Sequence, residues 1–420
     1  MVHIRDHKGK ACGLLCGISV MAVNLFGTVY FRELVAGTLQ QVPDGRYAFT
    51  YDRTYIESGR PQIAHTLPRE IGAQYSAGLP AFFDNLVAEG WLARAQARAL
   101  GIPAEDRFAR LLAFGRDCPG AVSVIDPRPT GEPNLTEGTT EEIAALTNRA
   151  SISGVQPKLF AIRDADGYRA ARTGEWSTHI AKLPSGELPD IVEIEYLTTL
   201  AAAALLPDDQ IVDVEVAPVR GIDGTSLLVR RFDRAAAGEK IHFEEFNQLL
   251  GRPAEAKYDG SYGEMARFIL ANQATQREQD VDRLFRRVLA CILLGNNDAH
   301  SKNFGLLYTD NGFRLAPFYD VVAAALYDRF KGSPLALKIG AGTNPGTLAG
   351  IGDKHLAILA ESFGLTKQAL LLAVSDLKRR FPAALEKVDR ASAVSAALKE
   401  KLKTFMGKRW NGTFDSIGKR

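Results

Sequence analysis

"GNNDAHSKNFGLL", residues 295–307, places an aspartate, a histidine, a lysine and an asparagine directly behind the apolar run "RVLACILLG" (287–295). Asp298 and Asn303 stand five apart in a polar loop flanked by Gly295 and Gly305, so a tight turn aims both side chains at one point. Phosphoryl transfer needs such an arrangement: a carboxylate to accept or orient a hydroxyl proton, and oxygen ligands that fix Mg²⁺ against nucleotide phosphates. Asp298 suits the first role and Asn303 half of the second. The next segment, "FGLLYTDNGFRLAPFYD" (304–320), reads as a hairpin that turns at "TDNG" and returns the chain to Asp320, a second carboxylate for the metal. The spacing between Asp298 and Asn303 is weak alone, since about one such pair arises by chance in a chain of this composition. Its place between an apolar helix and a hairpin ending in "FYD" gives it weight.

The neighbours in the loop have two readings each. His300 either hydrogen-bonds the loop backbone and holds its shape or does acid–base work, and the first is favoured because Asp298 already fills the base role. Lys302 either neutralises the transferring phosphoryl group or is a surface lysine. A kinase also needs a phosphate-cradling loop and a lysine on a strand. "SISGVQPK" (151–158) supplies Ile152, Ser153, Gly154, Val155 and Gln156 in a turn ahead of Lys158, where successive backbone N–H groups can face anionic oxygens. It carries a single glycine rather than G-x-G-x-x-G. "STHIAKLP" (177–184) puts Lys182 among apolar residues on a strand, to meet the α- and β-phosphates; a snorkelling edge lysine is the plainer account. "LVRRFDR" (228–234) ends the strand-rich region as a hinge would, with backbone at Arg231 for the edge of adenine and Phe232 for stacking.

Outward from these motifs, residues 22–52 alternate like short strands, and "LPAFFDNLVAEGWLARAQARALG" with "DRFARLLAFG" is helical, with Phe82, Phe83, Leu86 and Val87 on one face, then Leu92, Leu100 and Leu111. A Gly-, Pro- and Thr-rich stretch near 125–150 marks a border. "YRAAR", "THIAKLP", "VEVAPVRGI" and "SLLVRRFDR" are strand-like around the apolar helix "EIEYLTTLAAAALL", and the chain beyond Asp233 is mostly helical. The expectation is an α+β, two-lobed protein-kinase-like fold: an extra N-terminal subdomain (21–125), a β-rich N-terminal lobe (126–232) and a mostly helical C-terminal lobe (233–420). Residues 1–20 read as an upstream extension, with Met21 beginning the folded domain. Their segment "ACGLLCGISVMAV" is too short to span a bilayer, and no small-residue cleavage site follows.

Fifty-one basic and forty-nine acidic residues leave a formal charge of +2, too little for nucleic-acid binding driven by the field of the whole chain. A hydrophobic share of 46% with 24% charged residues is that of an ordinary globular protein. Four scattered cysteines suit a reducing cytosol better than a disulfide scaffold, so a cytoplasmic protein without a membrane partner is expected.

With the motifs "GTLQ", "LPAFFDNLVAEG", "FGRDCPGAV", "SISGVQPKL", "THIAKLP", "RRFDR", "EAKYDG", "NNDAHSKNFGLL" and "LAPFYDVV" in order, the chain resembles the HipA family, serine/threonine kinase toxins of bacterial toxin–antitoxin pairs. The resemblance runs from about residue 22 to about residue 380. It implies that Asp298 is the catalytic base, that Asn303 and Asp320 bind Mg²⁺, and that Lys182 contacts the phosphates of ATP. It makes residues 152–156 the phosphate loop and Arg231 with Phe232 the hinge. It also implies self-inactivation by autophosphorylation at Ser151, with Ser153 a second hydroxyl. A phosphate carrying nearly two negative charges cannot remain where ATP phosphates bind, so the loop is ejected. The implied substrate is an aminoacyl-tRNA synthetase, glutamyl-tRNA synthetase foremost. The implied partner is a HipB-like helix-turn-helix antitoxin, through which most DNA contact is made. Two positions depart from the family pattern: Arg230 stands where an acid often precedes Arg-Phe, and Pro157 replaces a charged residue. Two rival readings are an inactive kinase kept as a co-repressor subunit and a small-molecule phosphotransferase of the aminoglycoside-kinase kind. The latter usually carries His where this chain has Asn296.

Overall fold

The computed structural model describes residues 25–128, 133–152, 154, 156–235, 238–310, 312–340, 342 and 345–417. The expected extension 1–20, and Ser153 and Val155 of the expected phosphate loop, lie outside the described residues.

Strands β1 (Phe26–Phe31), β2 (Leu34–Gln41), β3 (Tyr47–Tyr51), β4 (Ala73–Ser76) and β5 (Val122–Ile125) form an antiparallel sheet in the order β4-β3-β2-β1-β5. In β1 every second residue is buried, so Val29 and Phe31 enter the core while their neighbours stay half exposed. Phe82, Phe83 and Leu86 of helix Ala81–Leu86 and Leu111 of helix Arg107–Phe114 close that core, as their shared face predicts.

A second unit is a small closed barrel of β6 (Lys158–Asp164), β7 (Gly167–Ala170), β8 (His179–Lys182), β9 (Val214–Arg220) and β10 (Thr225–Arg230), in the order β10-β8-β6-β7-β9. β6 and β8 pair antiparallel with Lys158 directly opposite Lys182. Like charges so placed repel, and they persist only where carboxylates meet them. Helix Ile191–Leu205 follows β8 and is buried along the stripe Ile191, Ile194, Glu195, Thr198 and Ala202. The third unit is helical around helix Arg277–Leu294, which is buried continuously from Arg287 to Leu294. The expected hairpin is there as β12 (Gly305–Thr309) and β13 (Gly312–Leu315), but a third strand, β11 (Phe243–Glu245), pairs with β12. That strand was not anticipated: three residues are too short for an alternation signal.

Among the described residues no single helix is long and apolar enough to cross a membrane. Helices Asp353–Ser362 and Lys367–Asp389 pass such a test only together, across a 118° bend. The residues they bury belong to the core of the helical lobe.

Candidate functional site

Helix Arg277–Leu294 stops at Gly295, whose φ of +84° turns the chain out of the helix. A side chain there would meet the Phe405 ring at 2.6 Å, so glycine is required twice over. The next residues form the expected loop. His300 N donates to the Asp298 carbonyl at 2.8 Å and to Asn303 Oδ1 at 3.0 Å, while Asn303 N donates to the His300 carbonyl at 2.9 Å. These bonds fix the Asn303 amide so that its Nδ2 donates to Asp320 Oδ2 at 2.8 Å.

Asp320 is carried in on the far side of the hairpin. Phe318 is tied by backbone bonds to Gln210 and Val212, at 2.7 and 3.0 Å, and Arg287 clamps the same corner through Asp209 and the Ala316 carbonyl. Asp320 has a φ of +59°, a left-handed backbone that a non-glycine residue adopts at a cost and that recurs at functional sites. Its second oxygen meets Lys182 Nζ, which also donates to Glu195 Oε1 at 2.5 Å. Burial alone would raise the Asp320 carboxyl. The Lys182 and Lys158 ammonium groups outweigh that and hold it well below the ordinary carboxylate range. Lys182 answers in kind: burial would lower it, and Asp320 and Glu195 instead keep it firmly charged.

Lys158, Lys182, Asn303 and Asp320 line a cleft of about 560 Å³ between barrel and helical lobe. Ile180, Val229, Leu188 and Ile191 give it an apolar wall of the kind a flat base needs, and Phe160, Phe232 and Tyr319 also line it. Ile152, Gly154 and Gln156 line it as well. Gly154 has a φ of +119°, and a side chain there would run into Lys158 Nζ. Gln156 Nε2 is bonded to the Leu183 carbonyl at 3.0 Å. Asp298 sits exposed at the cleft mouth, with Tyr258 Oη donating to its Oδ1 at 3.0 Å. The surrounding protein pushes its carboxyl up, against the pull of that hydrogen bond.

The structure corrects the phosphate-facing expectation for Lys302 and the stacking expectation for Phe232, and it locates the side chains of His300 and Arg231. Lys302 does not reach toward a transferring phosphoryl group: its ammonium is buried against Glu89 at 2.8 Å, Glu245 at 3.7 Å and the Asn85 carbonyl at 3.4 Å. A salt-bridged, desolvated lysine stays where its carboxylates are. His300 does not carry a proton near neutrality, because burial pushes its imidazole down to about 3 and its ring packs edge-on against Tyr258 at 5.2 Å. The side chain of Arg231 turns away from the nucleotide and into a buried network with Asp117, Asp233 and Ser177, over the Phe160 ring. Its backbone N–H donates to the Thr178 carbonyl at 3.0 Å, so neither the side chain nor that N–H is left to serve a base. Phe232 has its ring packed against Phe243 and Tyr319, with centroids at 5.2 and 5.5 Å, so it walls the cleft as part of an aromatic cluster rather than as a free stacking plate.

Ser151 is buried, and its hydroxyl donates to the Leu86 carbonyl at 2.6 Å. Glu195, Glu89 and Tyr258 escaped the sequence reading. Glu195 had a signal: it is the one acid within the buried stripe of an apolar helix, and a buried acid needs a partner. Among the described residues no three His, Cys, Asp or Glu side chains converge as a metal cluster. Asp320 and Asn303 nevertheless suit Mg²⁺, which takes few protein ligands and completes its shell with phosphate and water, and the Asn303 amide would turn over to present its oxygen instead of Nδ2 on the side of Asp320.

Comparison with known proteins gives the family. The HipA-like C-terminal domain family matches residues 150–385, and the HipA N-terminal domain family matches residues 27–125. The protein named "Putative kinase Y4dM" of Sinorhizobium fredii is 29% identical over 407 residues, which covers 92% of this chain and 96% of that one. The serine/threonine-protein kinase toxin HipA of Shewanella oneidensis is 26% identical, over 86% of this chain and 88% of its own length. A solved structure of HipA from the same organism, in complex with HipB and operator DNA, superposes with a TM-score of 0.75 at 22% identity, over 94% of this chain and 99% of that one. With both of its parts matched in order, the chain belongs to the HipA family.

Proposed function

We propose that this chain is an ATP- and Mg²⁺-dependent serine/threonine protein kinase, the toxin of a toxin–antitoxin pair. The observation that carries the reading is the position of Lys182, shared between Glu195 and Asp320, with Asn303 bonded to Asp320 and Asp298 at the mouth of the same cleft. A lysine–glutamate pair beside a metal-binding aspartate is the arrangement protein kinases use to hold nucleotide phosphates. The apolar wall at Ile180 and Val229 takes the base, and the Lys182 ammonium meets the α- and β-phosphates. Asp320 and Asn303 would hold Mg²⁺, which neutralises charge on the phosphate oxygens when bound. Asp298 takes a hydrogen bond from the incoming hydroxyl at the mouth, orients it toward the γ-phosphorus and accepts its proton as the new phosphorus–oxygen bond forms and the bond from the γ-phosphorus to the β–γ bridging oxygen breaks, with ADP as the leaving group.

The substrate we propose is an aminoacyl-tRNA synthetase, glutamyl-tRNA synthetase first. The proposed partner is a HipB-like antitoxin that supplies most DNA contact, in the cytoplasm, and the proposed units are 21–125, 126–232 and 233–420. Ser151 is the proposed self-inactivation site: a phosphate cannot occupy the place of its hydroxyl against the Leu86 carbonyl, so phosphorylation expels the loop. Peptide mass spectrometry after incubation with Mg²⁺–ATP, beside Asp298→Asn, tests the reading. Phosphate on Ser151 or Ser153 in the native protein alone supports it. No phosphate on the chain or on added glutamyl-tRNA synthetase, with ATP binding confirmed, overturns it.

A further inference from the structure

One short segment of the N-terminal sheet domain touches both loops of the cleft. The Leu86 carbonyl receives Ser151 at the entrance to the phosphate loop, at 2.6 Å. Three residues on, Glu89 Oε1 receives Lys302 of the catalytic loop at 2.8 Å, and Glu89 Oε2 receives Lys257 at 3.0 Å. Lys257 precedes Tyr258, whose phenol holds Asp298. Two ammonium groups thus converge on one carboxylate close to the group that receives the hydroxyl proton. All three side chains are largely buried, at 12% exposed for Lys257, 4% for Lys302 and 16% for Glu89. Charges so desolvated act strongly on whatever they face. With Glu89 neutral, the carboxylates left within electrostatic reach of Lys257 are Asp298 and Glu245. Burial has pushed Glu245 up to about 7, so it is the poorer counter-ion of the two.

We propose that Glu89 is a positioning residue for phosphoryl transfer: it pins the catalytic loop through Lys302 and holds the Lys257 ammonium away from Asp298. The groups facing Asp298 are Tyr258, Lys257 and, across the cleft, Asp320, with the neutral His300 ring packed on Tyr258. Of these, Lys257 is the cation that Glu89 holds, at 3.0 Å. Releasing it places a positive charge beside the base, which lowers a carboxylate pKa and weakens it as a proton acceptor.

The inference rests on the kinase reading for its kinetic arm alone. The rate of phosphate incorporation from Mg²⁺–ATP is followed against pH for the full chain, for Glu89→Gln and for Glu89→Gln with Lys257→Gln. Glu89→Gln is expected to slow the reaction at least tenfold and to move its acid limb roughly one pH unit lower, as an opposite charge brought near a carboxylate does. The double variant returns the limb to its native position. A slower Glu89→Gln protein with an unmoved limb overturns the proposal, because a purely structural glutamate would do that. Should Glu89→Gln fail to fold, Glu89→Asp keeps the charge with a shorter reach, and a native limb in that variant is equally fatal. If the native protein transfers no phosphate, the kinase reading fails separately, and hydrogen exchange at the His300 and Asn303 amides decides. Faster exchange in Glu89→Gln supports the clasp, and unchanged exchange removes it.

Discussion

Lys182→Met tests the centre of the site. The ammonium lies between Glu195 at 2.5 Å and Asp320, with the lysine side chain 8% exposed and that of Glu195 2% exposed. Methionine keeps the stem and the strand position and removes only the charge. Two carboxylates are then left facing each other, and breaking a buried pair by removing one partner costs about 3–5 kcal/mol. Two features reduce the loss: Asp320 is 34% exposed to the cleft, where solvent screens it, and Lys158 still faces it from the opposite strand. A loss of about 3 kcal/mol at pH 8 is therefore expected in urea denaturation. Asp320 titrates below its ordinary 3.8 in the folded protein, so its contribution is fully present above that value and fades as pH falls below it; the variant flattens this acid limb. Adding Glu195→Met replaces the pair by apolar groups and should return stability to within about 1 kcal/mol of native, since a buried ion pair is often no better than its hydrophobic replacement. Phosphate transfer should stay down by roughly 10²–10³ in both variants, the usual effect of deleting one preorganised contact to developing charge. A single variant of native stability, or a double variant that regains activity, refutes the account.

Gly295→Ala forces a side chain into a φ of +84° and to 2.6 Å from the Phe405 ring, and should cost about 3 kcal/mol and most of the activity; a native melting temperature would show that the helix stop is not set there. Glu244 is fully buried between domains, accepting from His65 N and Tyr308 Oη, and burial pushes its carboxyl up to about 7. Its folded value lies above the ordinary 4.5, so the folded state holds the proton more tightly, and stability is lost as pH rises from 4.5 to 7. Glu244→Gln should therefore gain about 2–3 kcal/mol at pH 8 relative to its effect at pH 4, by denaturation at both, and equal effects would rule out titration at this site.

The local parts of the site were legible. The loop after "ILLG" is set by a helix that must stop at a glycine with positive φ, the hairpin by "TDNG", and the cleft strand by the apolar flanks of Lys182, all read from near neighbours. Lys302 shows where such reading ends. A lysine in a catalytic loop points, by chemistry alone, toward phosphates, yet its position is fixed by Glu89, 213 residues away. Arg231 likewise reads as a hinge contact until Asp117, 114 residues away, claims its guanidinium. Glu195 lies between these cases: its burial was readable from the helical stripe, but its partner Lys182, thirteen residues earlier, read only as a phosphate contact or an edge lysine.

These distant pairings share one origin, the N-terminal sheet domain. Asp117 receives Arg231 and Arg234 at 3.2 and 2.6 Å, and Asp233 receives the same two arginines at 2.7 and 3.0 Å. Two positive and two negative charges are thereby buried with no net charge, and removing any one leaves an uncompensated ion in a low-dielectric junction. Gly120 N adds a bond to Asp233 Oδ2 at 2.8 Å, so the backbone of the first domain is tied to the hinge segment as well. The hinge is therefore held from outside the cleft, as the catalytic loop is held by Glu89 and the phosphate loop by the Leu86 carbonyl. Three separate elements of the cleft are fixed by one domain, so on the proposed mechanism substitutions within residues 84–120 should alter phosphoryl transfer although nothing in their own sequence reads as catalytic.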